Sequence, residues 1–155
     1  MAPDITQALR TAPAHYAAGV DRRDVDLFLS AFDPEGTLWI PARGGAQAGP
    51  RVLRGHRELV QVIERIARFD RTFHLLGQTL VESAGEGVAR AETYCVAHHW
   101  LASEDGVEDT VLYIRYEDTY RPGTDGAWRL AERRLHEDAR EARDVTVWAE
   151  GAAAS

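Results

Sequence analysis

A chain of 155 residues with 45% apolar and 28% charged residues suits one domain with a proper core, and excludes disordered and fibrous classes. A net charge of −7, from 25 acidic against 18 basic residues, argues against a polyanion partner, so nucleic-acid binding is not expected. Cys95 is the single cysteine, which rules out an intrachain disulfide framework. Its apolar neighbours suit a small core residue better than a nucleophile. The N-terminus lacks the basic-then-apolar order of a signal peptide, and no apolar run reaches the roughly 20 residues a bilayer span needs. A cytoplasmic protein without membrane contact is the expectation.

In chain order, Ile5, Leu9, Ala12, Tyr16 and Val20 recur at helical spacing. Pro13 interrupts them, so either the helix kinks or a fresh one starts with Thr11 as its cap. That helix is expected to end at Asp21. Asp24 reads as the N-cap of a short second helix through Val25, Leu27, Phe28 and Phe32, ended by Asp33-Pro34-Glu35-Gly36. Thr37–Ile40 reads as a short strand, and residues 42–50 as a Gly-rich flap without phosphate-loop spacing. Gly55 opens a third helix with Leu59, Val60, Ile63, Ile66 and Ala67 on one side.

From residue 70 the pattern changes to long strands. Residues 72–82, 88–101, 110–121 and 127–136 are separated by Gly-, Asp- and Ser-rich turns, which predicts antiparallel hairpins. Helices followed by a meander predict an α+β domain over 1–155. Its cone-shaped, curved, mostly antiparallel sheet carries the N-terminal helices across the concave face, and 139–155 form a tail in which Trp148 docks.

A cavity between helices and curved sheet is the natural small-molecule site. His74 stands in an apolar strand, imidazole is the side chain suited to moving protons at ordinary pH, and a carboxylate on its other nitrogen would orient it and stabilise the cation formed on proton abstraction. Asp21 sits at a helix C-terminus, where the dipole opposes it, and a paired imidazole would compensate. Candidate substrate contacts are Tyr16, Trp39, His98, Tyr116 and Arg133. Alternation puts Tyr94, Val96 and His98 on one face of their strand and His99 on the other, and leaves open which face is inward. No metal-ligand spacing is present, so no metal is expected.

Three segments together, Tyr16-Ala17-Ala18-Gly19-Val20-Asp21-Arg22-Arg23-Asp24, Arg71-Thr72-Phe73-His74, and Tyr120 with Asp125-Gly126-Ala127-Trp128-Arg129-Leu130, resemble the SnoaL-like branch of the nuclear transport factor 2-like superfamily. Within it, the site is similar to those of scytalone dehydratase, bile acid 7α-dehydratase and hexachlorocyclohexane dehydrochlorinase. The resemblance implies a cofactor-independent lyase in which His74 takes a proton from carbon, Asp21 orients it, and hydroxyl or halide leaves a small, mostly apolar substrate. It also implies Tyr16 as a dehydratase tyrosine, with His98 as a second histidine, or His99 if a bulge shifts the strand. Arg133 would match a late arginine. A cyclase or isomerase using the same dyad, and a noncatalytic oxygenase subunit, are the alternatives. A single-layer sheet with an uncovered outer face suggests a homodimer or homotrimer.

Overall fold

The computed structural model describes residues 5–43, 48–85 and 87–145. The elements are α1 (Ile5–Arg22), α2 (Val25–Ser30), β1 (Phe32–Ile40), β2 (Arg51–Arg54), α3 (Gly55–Leu59), α4 (Gln61–Ile66), β3 (Arg71–Gly85), β4 (Val88–Ser103), β5 (Gly106–Pro122) and β6 (Trp128–Val145). The strands form one sheet in the order β2-β1-β6-β5-β4-β3. Among the described strands only β1 and β6 run parallel, β2 pairs antiparallel with β1, and the short turns after β3, β4 and β5 make β3 to β6 a meander. The sheet is open and curled, with the N-terminal helices packed against it.

Strand β4 shows why a helix can lie so close. Ala89, Ala91, Thr93, Cys95, Ala97 and His99 alternate along its concave face, all buried. Four of these six are Ala or Cys, which leaves room for the Tyr16, Phe28 and Phe32 rings in the same core. The ring centroids of Tyr16 and Phe28 are 5.2 Å apart, and those of Tyr16 and Phe32 6.1 Å. At Gly19 the backbones of α1 and α2 nearly touch. A Cβ there would stand 2.5 Å from the Phe28 nitrogen and 2.6 Å from its Cα, so only glycine fits.

Four local expectations change. Helix α1 runs unbroken through Pro13, because the buried stripe from Ala8 and Leu9 to Val20 spans it and tertiary burial outweighs one lost backbone bond. Helix α2 begins at its Asp24 cap, whose Oδ1 accepts from Leu27 N at 2.9 Å, but it stops at Ser30. Phe32 therefore belongs to β1, fully buried opposite Leu130, and the register shift before Thr37 absorbs Pro34. The expected third helix divides at Val60 into α3 and α4, with Leu59 and Ile63 both directed to the core. Finally, residues 139–145, expected in the tail, continue β6 alongside β5 as far as the Val107–Val145 pair. Trp148 and residues 44–47 of the Gly-rich stretch lie outside the described residues.

Candidate active site

Asp21 lies in the last turn of α1, where the helix dipole disfavours a carboxylate. Three donors from the start of β3 offset that. His74 Nδ1 stands 2.7 Å from Oδ1, the His74 backbone N–H donates to Oδ2 at 2.8 Å, and Thr72 Oγ1 donates to Oδ1 at 2.9 Å. Burial pushes the Asp21 carboxyl up, but the His74 side chain and backbone, with Thr72, outweigh it and hold the group below its usual range. It is therefore a carboxylate at neutral pH.

The turn that presents Asp21 is itself clamped to β3. Arg23 adopts φ 57°, the left-handed region that closes many helices, and its guanidinium donates to Val20 O at 2.7 Å, Thr72 Oγ1 at 2.9 Å and Phe69 O at 3.2 Å. One arginine thus caps α1, orients the threonine and ties the helix end to the strand carrying His74. The carboxylate can only accept, so Nδ1 carries the proton and Nε2 keeps its lone pair. The His74 side chain is 6% exposed and Asp21 21%.

Beside this pair opens a cavity of about 690 Å³, bounded by α1, α4 and the concave face of the sheet. Its lining includes His74, His99, Tyr16, Tyr116 and the apolar Val20, Ile40, Leu112, Ile114 and Leu135. The His74 and His99 rings are 5.9 Å apart. Burial, reinforced by His74 when it is protonated and by the charges of Arg43, Arg68 and Arg23, pushes His99 down to about 3, so its imidazole is neutral. Burial raises both tyrosines, Tyr16 to about 12 and Tyr116 well above its usual value. These rings offer hydroxyls, not phenolates.

A family model described as a SnoaL-like domain matches residues 4–134. The chain belongs to this family. It is accordingly a member of the nuclear transport factor 2-like superfamily. Among solved structures, it is similar to a type 2 hexachlorocyclohexane dehydrochlorinase (LinA), with a TM-score of 0.78, 13% identity and 95% of each chain covered. It is also similar to the type 3 LinA of Novosphingobium barchaimii, at 0.77, 11% identity and 94% of each chain. A scytalone dehydratase-like protein from Novosphingobium aromaticivorans aligns at 0.69 with 21% identity, covering 94% of this chain and 90% of that one. At such identities these likenesses establish the fold. No curated protein matches the chain.

In this SnoaL-like chain, Asp21, His74, Tyr16 and Tyr116 come together around the cavity, whereas three other candidates do not line it. His98 faces the opposite side of β4, where its Nδ1 pairs with Asp109 Oδ2 at 2.8 Å and its ring stacks on Trp100 at 5.6 Å. The inward histidine is His99, because β4 runs opposite β5 without a bulge and alternation holds throughout. Trp39 also faces outward, donating from Nε1 to Glu132 at 3.0 Å under the Arg134 guanidinium, while the next residue, Ile40, lines the cavity.

Arg133 is fully buried in the floor. It donates from Nε and Nη2 to the Asp118 carboxylate at 2.8 and 2.7 Å, with its guanidinium 4.4 Å from the Tyr16 ring centroid and 4.1 Å from that of Tyr116. Nε and Nη2 are thus engaged in holding the aromatic floor in place, while Nη1 is buried without a hydrogen-bond partner. Thr72, Arg23 and a set of arginines at the mouth (Arg43, Arg51, Arg65 and Arg68) were not singled out from sequence. Thr72 had a signal, since two residues before His74 in a strand is the same face.

Proposed function

We propose that this protein is a cofactor-independent lyase, a dehydratase or related elimination catalyst. His74 Nε2 removes a proton from carbon. The electrons of that C–H bond form the new double bond, and hydroxyl or halide departs with the electrons of its own bond. For a hydroxyl, protonated His74 returns the proton and water leaves. Asp21 keeps Nδ1 protonated, fixes the ring and stabilises the imidazolium in between. Tyr16 and Tyr116 hold the substrate from the floor, and neutral His99 faces it across from His74 with a hydrogen-bonding nitrogen.

The observation carrying this reading is a 2.7 Å carboxylate–imidazole contact on the wall of a 690 Å³, largely apolar cavity. A noncatalytic subunit would call for the pair apart or the cavity filled, and neither holds. An aldol-type cyclase or isomerase starts from the same proton abstraction, so the dyad suits it equally. Product masses separate them. Incubation with a panel of small β-hydroxy and β-halo carbonyl compounds should yield products lighter by water or hydrogen halide, and products of conserved mass would move the assignment to cyclisation or isomerisation. Formation should fall by roughly 10²–10⁴ in H74A, the usual worth of a positioned base. Full activity in H74A would remove His74 from the reaction.

We further propose a homodimer or homotrimer formed through the outer face. Phe73, Leu75, Tyr94 and Tyr113 lie 40–57% exposed on β3, β4 and β5, more apolar area than a free sheet face usually leaves bare. Light scattering that returned a 17.2 kDa particle at micromolar concentration would contradict it.

A further inference from the structure

The cavity mouth is charged in a way that the chain as a whole is not. In a protein of net charge −7, the lining contains four arginines, Arg43, Arg51, Arg65 and Arg68, against Glu64. Among the described residues, ion pairs engage Arg115, Arg129, Arg133, Arg134, Arg140 and Arg143, but none of these four. Arg51 is anchored by Nη2 on Gln61 Oε1, while its Nη1 is buried with no hydrogen-bond partner. A buried guanidinium nitrogen without an acceptor is costly, and in an unliganded protein it marks a position where an acceptor belongs.

Arg43 and Arg68 lie close enough to repel each other. Burial, then the like charges of Arg140 and Arg68, hold the Arg43 guanidinium below its usual range against the pull of Glu137. Arg43 and Arg68 also flank His99 in a smaller adjoining hollow, and both push its imidazole toward the neutral form. A neutral His99 adds no further positive charge but keeps an N–H to donate. Like charges that outnumber the carboxylates at the entrance of an apolar cavity, and that pair with none of them, are relieved by an anion that enters with an apolar body.

The geometry points to a substrate with one carboxylate on a mostly hydrophobic frame, the carboxylate lodged among Arg43, Arg51 and Arg68 and the frame lying in the cavity, with the acidic carbon at His74. This rests on the acid–base reading above and adds the class of substrate. Planar guanidinium donors match a carboxylate and discriminate strongly against a neutral amide of the same shape. The mouth then selects for charge while the walls select for shape.

The test is equilibrium binding of 2-naphthoate and 2-naphthamide, which share a frame and differ in charge, followed by calorimetry at low and high salt. The wild type should bind the acid about tenfold more tightly than the amide, a difference of about 1.4 kcal/mol. Salt should erode the acid's affinity only. R43Q and R68Q, both at exposed positions, should each bring the acid close to the amide while thermal melting stays unchanged. Equal affinities in the wild type, no binding of the acid at millimolar concentration, or an acid preference untouched by R43Q and R68Q would each overturn the assignment. Catalysis plays no part in this measurement. An acid preference with no His74-dependent reaction would thus fail the lyase reading alone, and His74-dependent turnover without an acid preference would fail this one alone.

Discussion

Among the described residues, two histidine–aspartate pairs of nearly equal length lie on opposite faces of one sheet: His74 with Asp21 at 2.7 Å, and His98 with Asp109 at 2.8 Å. By distance alone they are indistinguishable. Their surroundings differ in every other respect. Asp21 accepts from a side chain, a backbone N–H and a hydroxyl, and its histidine borders a cavity. Asp109 is 1% exposed, shares Oδ2 between His98 and Arg143 at 3.2 Å, and leaves Oδ1 without a partner. His98 sits among Trp100 and Phe73, on the face without the cavity. A dyad becomes a candidate catalyst when a substrate can reach its free nitrogen and when its acid is fully satisfied without that substrate. Only the inner pair meets both conditions.

The sharpest way to break this comparison is to exchange the losses. H74A should reduce kcat/KM by roughly 10²–10⁴, and H98A should leave it within about a factor of two, measured on any substrate the wild type turns over. Equal losses would mean that the outer pair also contributes to the reaction. D21N comes next. An amide at this position can no longer require Nδ1–H, so the tautomer is freed, and kcat should fall by roughly 10–10³ with KM little changed. A change confined to KM would make Asp21 a substrate contact instead.

The neighbours His98 and His99 sharpen the comparison through pH. Folding lowers the His99 pKa from its ordinary value of 6.5 to about 3, so the unfolded chain binds the proton more readily than the folded one. Its contribution is therefore complete above about pH 6.5 and is lost as pH falls toward 3. By pH 4 the loss should amount to on the order of 3 kcal/mol, and H99Q should flatten that part of a denaturation-versus-pH curve. Asp21, held below its usual range, adds to the loss in the same direction below about pH 4. The smallest effect belongs to the outer pair. H98A should cost about 1–2 kcal/mol in urea denaturation, because Asp109 is left buried with Arg143 alone.

Much of this was legible in the chain. The helical stripe from Ile5 to Val20, the Asp24 cap and the three hairpin turns follow from local pattern, whereas the pairing of Asp21 with His74, 53 residues apart, was expected from packing the first helix across the strand and from the resemblance. What failed did so where a face had to be chosen. The inward face of β4 was encoded in the run of small residues from Ala89 to Ala97, against Arg90, Glu92, Tyr94 and Val96 on the other side, and extending that alternation selects His99. Arg133 was misplaced for a different reason. Its partner Asp118 lies fifteen residues away on a neighbouring strand, and nothing local distinguishes an arginine that fills a core from one that meets a substrate. The arginines at the mouth come from β1's exit, β2 and α4, and only the tertiary fold gathers them.

The account's central claim is that Asp21 holds His74 with Nδ1 protonated and Nε2 free toward the cavity, and nitrogen NMR on histidine-labelled protein tests it without any substrate. At pH 7.5 the His74 signals should report the Nδ1–H tautomer in the wild type and shift toward the Nε2–H form in D21N. A wild-type His74 found as the Nε2–H tautomer, or unchanged by D21N, would contradict the claim.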